Sequence, residues 1–198
     1  MKGARLDPAE LPGLLATPAP LVHPPGTAER RAAVTLLLTP EPERPDEVEV
    51  LFGLRARAEG DPWSGHVALP GGREDPGDED LVETARRELR EETAIELPRD
   101  AYVGRLDDLH PQAVHLPSIV VSPFVAWAAE RPAVRENYEL AGHLWIPIAD
   151  LADPDYRSSF RRETPTPREF ETIEYAGAVV WGMTLLIVQD FLHRIGAA

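Results

Sequence analysis

Residues 69–95, LPGGREDPGDEDLVETARRELREETAI, constrain this chain more than any other stretch. Paired glycines and an acidic loop run there into a segment carrying Arg87, Glu88, Glu91 and Glu92. At 3.6 residues per turn, a helix sets Glu88 four residues from Glu92 and three from Glu91, so the three carboxylates lie along one side. Leu81, Val82, Ala85 and Leu89 form the apolar stripe beside them, which predicts a helix over Leu81 to Thr93 with Asp78 or Asp80 as its cap. Acids beside a buried stripe belong at the edge of a cleft. Pro70, Gly71 and Gly72 predict a turn whose backbone can approach a neighbour more closely than a Cβ would allow.

An acidic helical face is usually only solvated, and like charges three or four apart cost about 0.2–0.5 kcal/mol per pair. That penalty is too small to identify a site. The combination of glycine turn, acidic loop and carboxylates beside the stripe is what points to bound cations. Asp and Glu together number 34 against 20 Lys and Arg, a net charge of −14, which disfavours extended contact with nucleic-acid backbone or anionic membrane. A polyanionic small molecule would need metal ions to approach such a surface. With no cysteine there are neither disulfides nor thiolate metal sites, and with no apolar leader or 18-residue apolar run the expectation is a cytoplasmic protein.

The remaining chain supplies a scaffold. Residues 1–30 are a proline-rich arm with a short helix near Leu11 to Leu15; residues 31–198 are expected to form one domain. Strands are predicted over Ala32 to Thr39, Val48 to Arg55, His66 to Leu69, Tyr102 to Leu106, Ile119 to Trp127, Glu139 to Ile146 and Phe170 to Tyr175. Pro123 suggests an edge position or a bulge for its strand. Helical spacing recurs over Met183 to Arg194 before Gly196, and Pro147 to Leu151 reads as one helical turn. Trp127, Trp145 and Trp181 are most simply core. The apolar strands and the arm leave a homodimer as an open expectation.

Residues 72–95 resemble the Nudix box, G-x5-E-x7-R-E-U-x-E-E-x-G-U, with U apolar. Counting back from Arg87 puts Glu79 on the first Glu of that pattern, and Glu88, Leu89, Glu91 and Glu92 fill its core. Two positions differ: Gly72 stands six residues before Glu79 instead of five, and Ala94 replaces the closing glycine. The segments GLRARAEGDPWSGHVALPGGREDPGD, VSPFVAW, ENYELAGHLWIPIADL and VVWGMTLLI are similar, in order, to landmarks of the coenzyme A diphosphatase branch. Trp63, His66 and Leu69 stand where that branch usually has His, Gln and Phe.

The resemblance implies an α/β (α+β) Nudix fold, a mixed β-sheet sandwiched between helices. It also implies hydrolysis of coenzyme A or acyl-coenzyme A to 3′,5′-ADP and (acyl-)phosphopantetheine, with Mg²⁺ or Mn²⁺ as cofactor. ADP-ribose, a dinucleotide or another nucleoside diphosphate derivative is the alternative substrate, and a non-hydrolytic nucleotide-binding module is a further one. Glu88 and Glu92 are the first expected metal ligands, with Glu91 and a carbonyl near Gly72 completing the shell. Glu91, Glu92 and Glu139 are the catalytic candidates, the general base being either Glu91 or Glu139. Arg87 and Glu79 read as a structural pair. Arg55, Arg57 and Arg73 are candidate phosphate contacts, Trp63 a candidate base contact, His66 a candidate contact to base or phosphate, and His110 and His115 sit in a long loop that could cover substrate.

Overall fold

Among the residues that the computed structural model describes, 6–56, 66–111, 118–162 and 168–197, two sheets and four α-helices are present. Strands β1 (Arg30–Pro40) and β2 (Val48–Arg55) pair antiparallel through Leu38–Pro40 and Val48–Val50. Toward the other end of β1, the gap between them is filled by one hairpin segment. Its first part, β3 (Val67–Ala68), pairs with Gly53 and Leu54, and its second part, β4 (Gly71–Arg73), pairs with Ala32, Ala33 and Val34. Thr35 N donates to Pro70 O at 2.8 Å between them. The Pro70–Gly72 stretch therefore continues into a strand at the centre of the sheet, where a turn was expected, because β1 offers it free backbone groups.

The sheet is completed by β5 (Tyr102–Arg105), β6 (Ile119–Trp127) and β7 (Leu140–Pro147) in the order β3-β2-β1-β6-β5, with β7 on β2. The β1–β6 pair is parallel from Arg30↔Ile119 to Leu38↔Trp127. β6 is thus an interior strand, not an edge. Pro123 is tolerated because β5 ends at Arg105, and Leu106 N donates to the Pro123 carbonyl at 3.0 Å on that side. An irregularity in the β5–β6 register opposite Val125 and Ala126 lies close by.

Alternation along the central strands separates two faces. Leu36, Leu38, Val50 and Phe52 join Leu11 and Leu15 of α1 (Leu11–Leu15) and Phe191 and Leu192 of α4 (Gly182–Arg194) in the larger core. Leu37 and Leu51 instead meet Leu89 of α2 (Leu81–Thr93), while Ala33 meets Ala85. Strands covered on both faces read as continuous apolar runs, as β1 and β2 do. The short α3 (Ile148–Ala152) follows β7 and adds Ile148 and Leu151 to the larger core.

Beyond α3 lies a second, three-stranded antiparallel sheet of β8 (Arg157–Arg162), β9 (Arg168–Tyr175) and β10 (Ala178–Trp181), in the order β10-β9-β8. Only β9 is foreseen by its alternation. β8 is mostly polar and β10 has four residues, so neither carries a recognisable period. Trp127 and Trp145 are half-buried at core margins, and Trp181 belongs to an aromatic group on the small sheet, so none of the three is fully buried core. No helix among the described residues is long and apolar enough to cross a membrane.

Candidate active site

Helix α2 opens at Asp80, whose side chain accepts from Glu83 N at 3.0 Å, and closes at Ala94 with φ +58°. Its buried face is Leu81, Thr84, Ala85, Leu89, Glu92 and Thr93. Glu92 therefore lies on the buried stripe itself, 4% exposed, and not merely beside it. Glu88, one turn earlier, is half-buried, and Glu91 points to solvent.

β4 is placed against this face. Glu92 Oε2 accepts from Gly71 N at 3.1 Å. A Cβ on Gly72 would lie 2.5 Å from Cδ of Glu88 and 2.6 Å from both of its oxygens, so only glycine leaves room for that carboxylate. At Gly71 a Cβ would meet the Ala33 carbonyl at 2.4 Å. The two glycines thus serve two purposes: Gly71 lets β4 lie against β1, and Gly72 makes a recess for Glu88.

Arg87 ties the loop to the helix. Its Nε and Nη2 donate to the two oxygens of Asp78 at 2.9 and 3.0 Å, Nη2 also to Arg73 O at 2.9 Å, and Nη1 to Glu88 at 2.8 Å and Glu91 at 3.2 Å. Asp78 Oδ2 accepts further from Asp75 N and Thr84 Oγ1. Arg87 beside it holds the Asp78 carboxyl well below the ordinary carboxylate range, aided by those bonds against the opposing effect of burial. The partner of Arg87 is therefore Asp78 and not Glu79, which is exposed. Asp78 follows Gly72 after five residues, the spacing of the family pattern, so the signal was in the sequence. The additional residue lies after the acid and not before it.

A loop across the end of α2 contributes a fourth acid. Arg135 N donates to Thr93 O at 2.8 Å, Asn137 N to Glu92 O at 3.0 Å, and Ala56 N at the end of β2 to Glu139 O at 2.7 Å. Glu139 N donates to Asn137 Oδ1 at 2.7 Å. So held, Glu139 acts electrostatically on both Glu88 and Glu92. Burial, with the repulsion of Glu88 and Glu139, pushes the Glu92 carboxyl up to about 7, against the hydrogen bond from Gly71 and the charge of Arg55. Burial likewise raises Glu88, although Arg87 opposes it.

The site thus gathers Glu88, Glu92, Glu139, Gly72 and Arg55. Glu91 stands at its solvent side. Arg73 supplies its carbonyl to Arg87 while its side chain is exposed, and His66 packs edge-on against Trp181 at 4.9 Å. Arg57, Trp63 and His115 lie outside the described residues, and His110 packs edge-on against His23.

Among the described residues no three acids or histidines converge closely enough to enclose an ion, since Glu92 is turned to Gly71, Glu88 to Arg87 and Glu91 outward. The donor set still suits a hard divalent cation. It is all oxygen, crowded and desolvated, with a recess at Gly72 that only glycine permits.

A mixed sheet between helices, with splayed central strands bridged by a glycine segment that feeds a carboxylate helix, defines a small α/β protein with an acid-lined ligand site. The sequence model of the NUDIX domain matches residues 29–166, and the chain belongs to the Nudix family. It is 31% identical over 135 residues to the uncharacterized Nudix hydrolase NudL of Yersinia pestis, covering 67% of this chain. The chain spans less than two thirds of the curated relatives it matches, 65% in the case of NudL. In fold it is similar to a MutT/nudix family protein from Enterococcus faecalis, with a TM-score of 0.59 and 18% identity over 96% of this chain and 75% of that one. It is also similar to the NUDIX domain of Shewanella oneidensis NrtR, cocrystallised with ADP ribose. That match has a TM-score of 0.51 and 25% identity over 65% of this chain and 80% of that one. Nudix hydrolases generally use divalent metal ions.

Proposed function

We propose that the chain hydrolyses the diphosphate linkage of a nucleoside diphosphate derivative with the help of bound Mg²⁺ or Mn²⁺. The observation that carries this reading is the pair Glu88 and Glu92, both desolvated and mutually repelling around the Gly72 recess, an arrangement that a cation stabilises. Bound there, divalent ions supply positive charge for the diphosphate oxygens and acidify a water. Glu88, Glu92 and the Gly72 carbonyl are the proposed ligands, with Glu91 completing the set from the solvent side. Arg87 keeps Glu88 oriented, and Asp78 keeps Arg87 in place. Arg55 offers the substrate a positive charge in an otherwise acidic cleft, and Arg57, Trp63, His66 and Arg73 are proposed as further substrate contacts. Glu139, whose backbone is held by Asn137 and Ala56, is the proposed general base for a water; Glu91 is the alternative base.

Within the substrate class, the segments similar to the coenzyme A branch support coenzyme A or acyl-coenzyme A, cleaved to 3′,5′-ADP and (acyl-)phosphopantetheine. ADP-ribose is supported by the likeness to the NrtR domain crystallised with ADP ribose. A second reading, a nucleotide-binding module that does not hydrolyse, is favoured by the attachment of Glu88 and Glu92 to protein partners. The reading treats residues 31–198 as one domain acting in the cytoplasm, with a homodimer as its assembly. Incubation with coenzyme A, ADP-ribose and a dinucleotide in turn, with Mg²⁺ or Mn²⁺, tests it. Release of 3′,5′-ADP or AMP by the native chain and not by Glu92→Gln supports hydrolysis and names the substrate. Inactivity on all three supports the binding module.

A further inference from the structure

A solvent-open cavity of about 530 Å³ lies where the ends of β2 and β3 meet the small sheet, lined among others by Leu54, His66, Val67, Phe160, Glu174 and Trp181. Its volume is within the ordinary range for sites that bind small organic ligands. Trp181 is the centre of an aromatic group: His66 packs against it at 4.9 Å and 72°, Phe160 at 5.0 Å and 76°, and Phe170 at 5.7 Å and 78°. Edge-to-face contacts of this kind fix ring orientations. The rings are nevertheless not sealed in the core. Phe160, Phe170 and Trp181 are each half-buried, and Val179 on the same wall is 37% exposed. A preorganised apolar wall that still faces water is suited to a planar ligand.

Glu174 decides which planar ligand. Its side chain is exposed at the lining, and an ionised carboxylate only accepts hydrogen bonds. It repels a phosphate, and an alkyl chain laid over it would strip its water without providing a donor. An amine-bearing heterocycle supplies both the flat face and the N–H, and the resulting hydrogen bond is charge-assisted.

Position relates this cavity to the acids. Leu54, in its wall, precedes Arg55, whose charge acts on Glu92. Val67, also in its wall, is four residues before Gly71, which bonds Glu92; at about 3.3 Å per residue, roughly 13 Å of extended chain is the most that separates them. Glu174, Val179 and Trp181 fall beyond residues 29–166, so most of this wall is not part of what the chain shares with the family's sequence model.

We infer that the cavity between His66, Trp181 and Glu174 is the subsite for the base of the substrate, an aromatic heterocycle carrying an exocyclic amine. The inference rests on the proposed diphosphate hydrolysis only for the remainder of the ligand. It assigns the base to one end of β2 and the diphosphate to the acids around Gly72, with Arg55 between them.

Calorimetric titration of the full chain with adenosine, without metal, tests the subsite apart from catalysis. The native chain binds adenosine saturably, and binds purine riboside, whose base lacks the amine and has no other N–H, about tenfold more weakly, in line with the loss of a hydrogen bond to a charged group. Glu174→Leu lowers adenosine affinity by a similar factor, and Val179→Trp, whose indole occupies the cavity, abolishes binding. Both positions are exposed on strands, and tryptophan suits a strand, so both variants are expected to fold; circular dichroism checks this. Equal adenosine binding by all three proteins, or no saturable binding by the native chain, overturns the inference. Turnover of coenzyme A, ADP-ribose and a dinucleotide separates it from the proposed activity. Adenosine binding that Val179→Trp abolishes, without hydrolysis by the native chain, leaves the subsite standing and removes the activity. Hydrolysis with an unchanged KM in Val179→Trp removes the subsite and leaves the activity standing.

Discussion

Arg87 and Arg194 lie on opposite sides of the central sheet, and each uses all three of its guanidinium nitrogens to bind several partners. Arg194, on α4, donates to Asp190 at 2.8 Å, Asp107 at 2.6 Å, Leu15 O at 3.0 Å and Pro18 O at 2.6 Å, with its side chain 2% exposed. It joins the N-terminal segment, the loop after β5 and the last helix. Arg87, 18% exposed, bonds Asp78, Glu88, Glu91 and one carbonyl, and Glu88 in turn interacts electrostatically with Glu92 and Glu139. Around Arg194 one cation meets two carboxylates and two carbonyls. Around Arg87 the same charge meets three carboxylates, one of which, Glu88, is coupled to two more. A buried arginine with few acids is a clamp. One with surplus acids leaves negative charge for a ligand to neutralise, and that surplus, more than the arginine, marks the site.

The contrast predicts that the two hubs fail differently. Arg194→Met leaves the Leu15 and Pro18 carbonyls without a donor and takes one donor from each of Asp107 and Asp190, which keep the N–H of Leu21 and of Asp107, so about 3 kcal/mol of stability is lost on denaturant unfolding. Turnover per folded molecule is unchanged. Arg87→Met is expected to lose more in turnover than in stability, because Glu88 loses its orienting donor while the remaining acids repel less when one is protonated. Equal stability losses at the two positions would break the comparison.

Gly72→Ala sharpens it from the site's side. The added Cβ meets the far end of a flexible Glu88 side chain, which can move aside at little cost to the fold. A ligand displaced by about 1 Å nevertheless costs catalysis on the order of a hundredfold. The expected result is a melting temperature close to the native value with kcat/KM down about a hundredfold. A large drop in melting temperature would mean that the recess supports the fold as well.

These hubs also show what the sequence discloses. The Arg87 hub lies within one 27-residue stretch whose spacing reports on helix faces, so Glu88, Glu91 and Glu92 could be placed before any fold was known. Even there, counting back from Arg87 gives Glu79 while counting forward from Gly72 gives Asp78, and the loop turn closed by the Asp78 N to Asp75 O bond is what brings Asp78 to Arg87. The Arg194 hub draws on residues 15, 18, 107, 190 and 194, and no local period connects them. Glu139 was legible as an acid near a strand start, but its position depends on the bonds from residues 135 and 137 to the end of α2. β8 and β10 escaped notice for a similar reason: their stability comes from pairing with β9 and from Phe160, Phe170 and Trp181, partners that lie far apart in the chain.

Acid distinguishes the hubs next. The folded Asp78 carboxyl lies below its unfolded value, about 3.9, chiefly through Arg87. Its contribution is therefore present above that value and is lost as pH falls below it toward the lower folded value. Asp78→Asn should cost about 1.5–3 kcal/mol at pH 7, the scale of a charge-assisted hydrogen bond, and should flatten the acid limb of the stability curve below about pH 4. Urea midpoints of both proteins from pH 7 downward check this. Parallel acid limbs would show that the Arg87 hub is not where the acid sensitivity resides.

The smallest effect is expected where the family pattern has glycine and this chain has Ala94. At φ +58° the residue occupies the left-handed region, which disfavours a Cβ by roughly 1–2 kcal/mol, and its side chain is exposed, so no packing offsets the strain. Glycine relieves the strain but adds freedom to the unfolded chain, leaving a net gain of about 0.5–1 kcal/mol for Ala94→Gly. The position also bears on the site, because the carbonyls of Glu92 and Thr93 just before it hold the loop that carries Glu139. If the Arg87 hub and the Gly72 recess alone set the geometry of the acids, Ala94→Gly unfolds at a higher midpoint with unchanged kcat/KM. A higher midpoint with lower kcat/KM would mean that the strained turn keeps Glu139 in register, and the surplus of acids around Arg87 would then depend on the loop as much as on the helix.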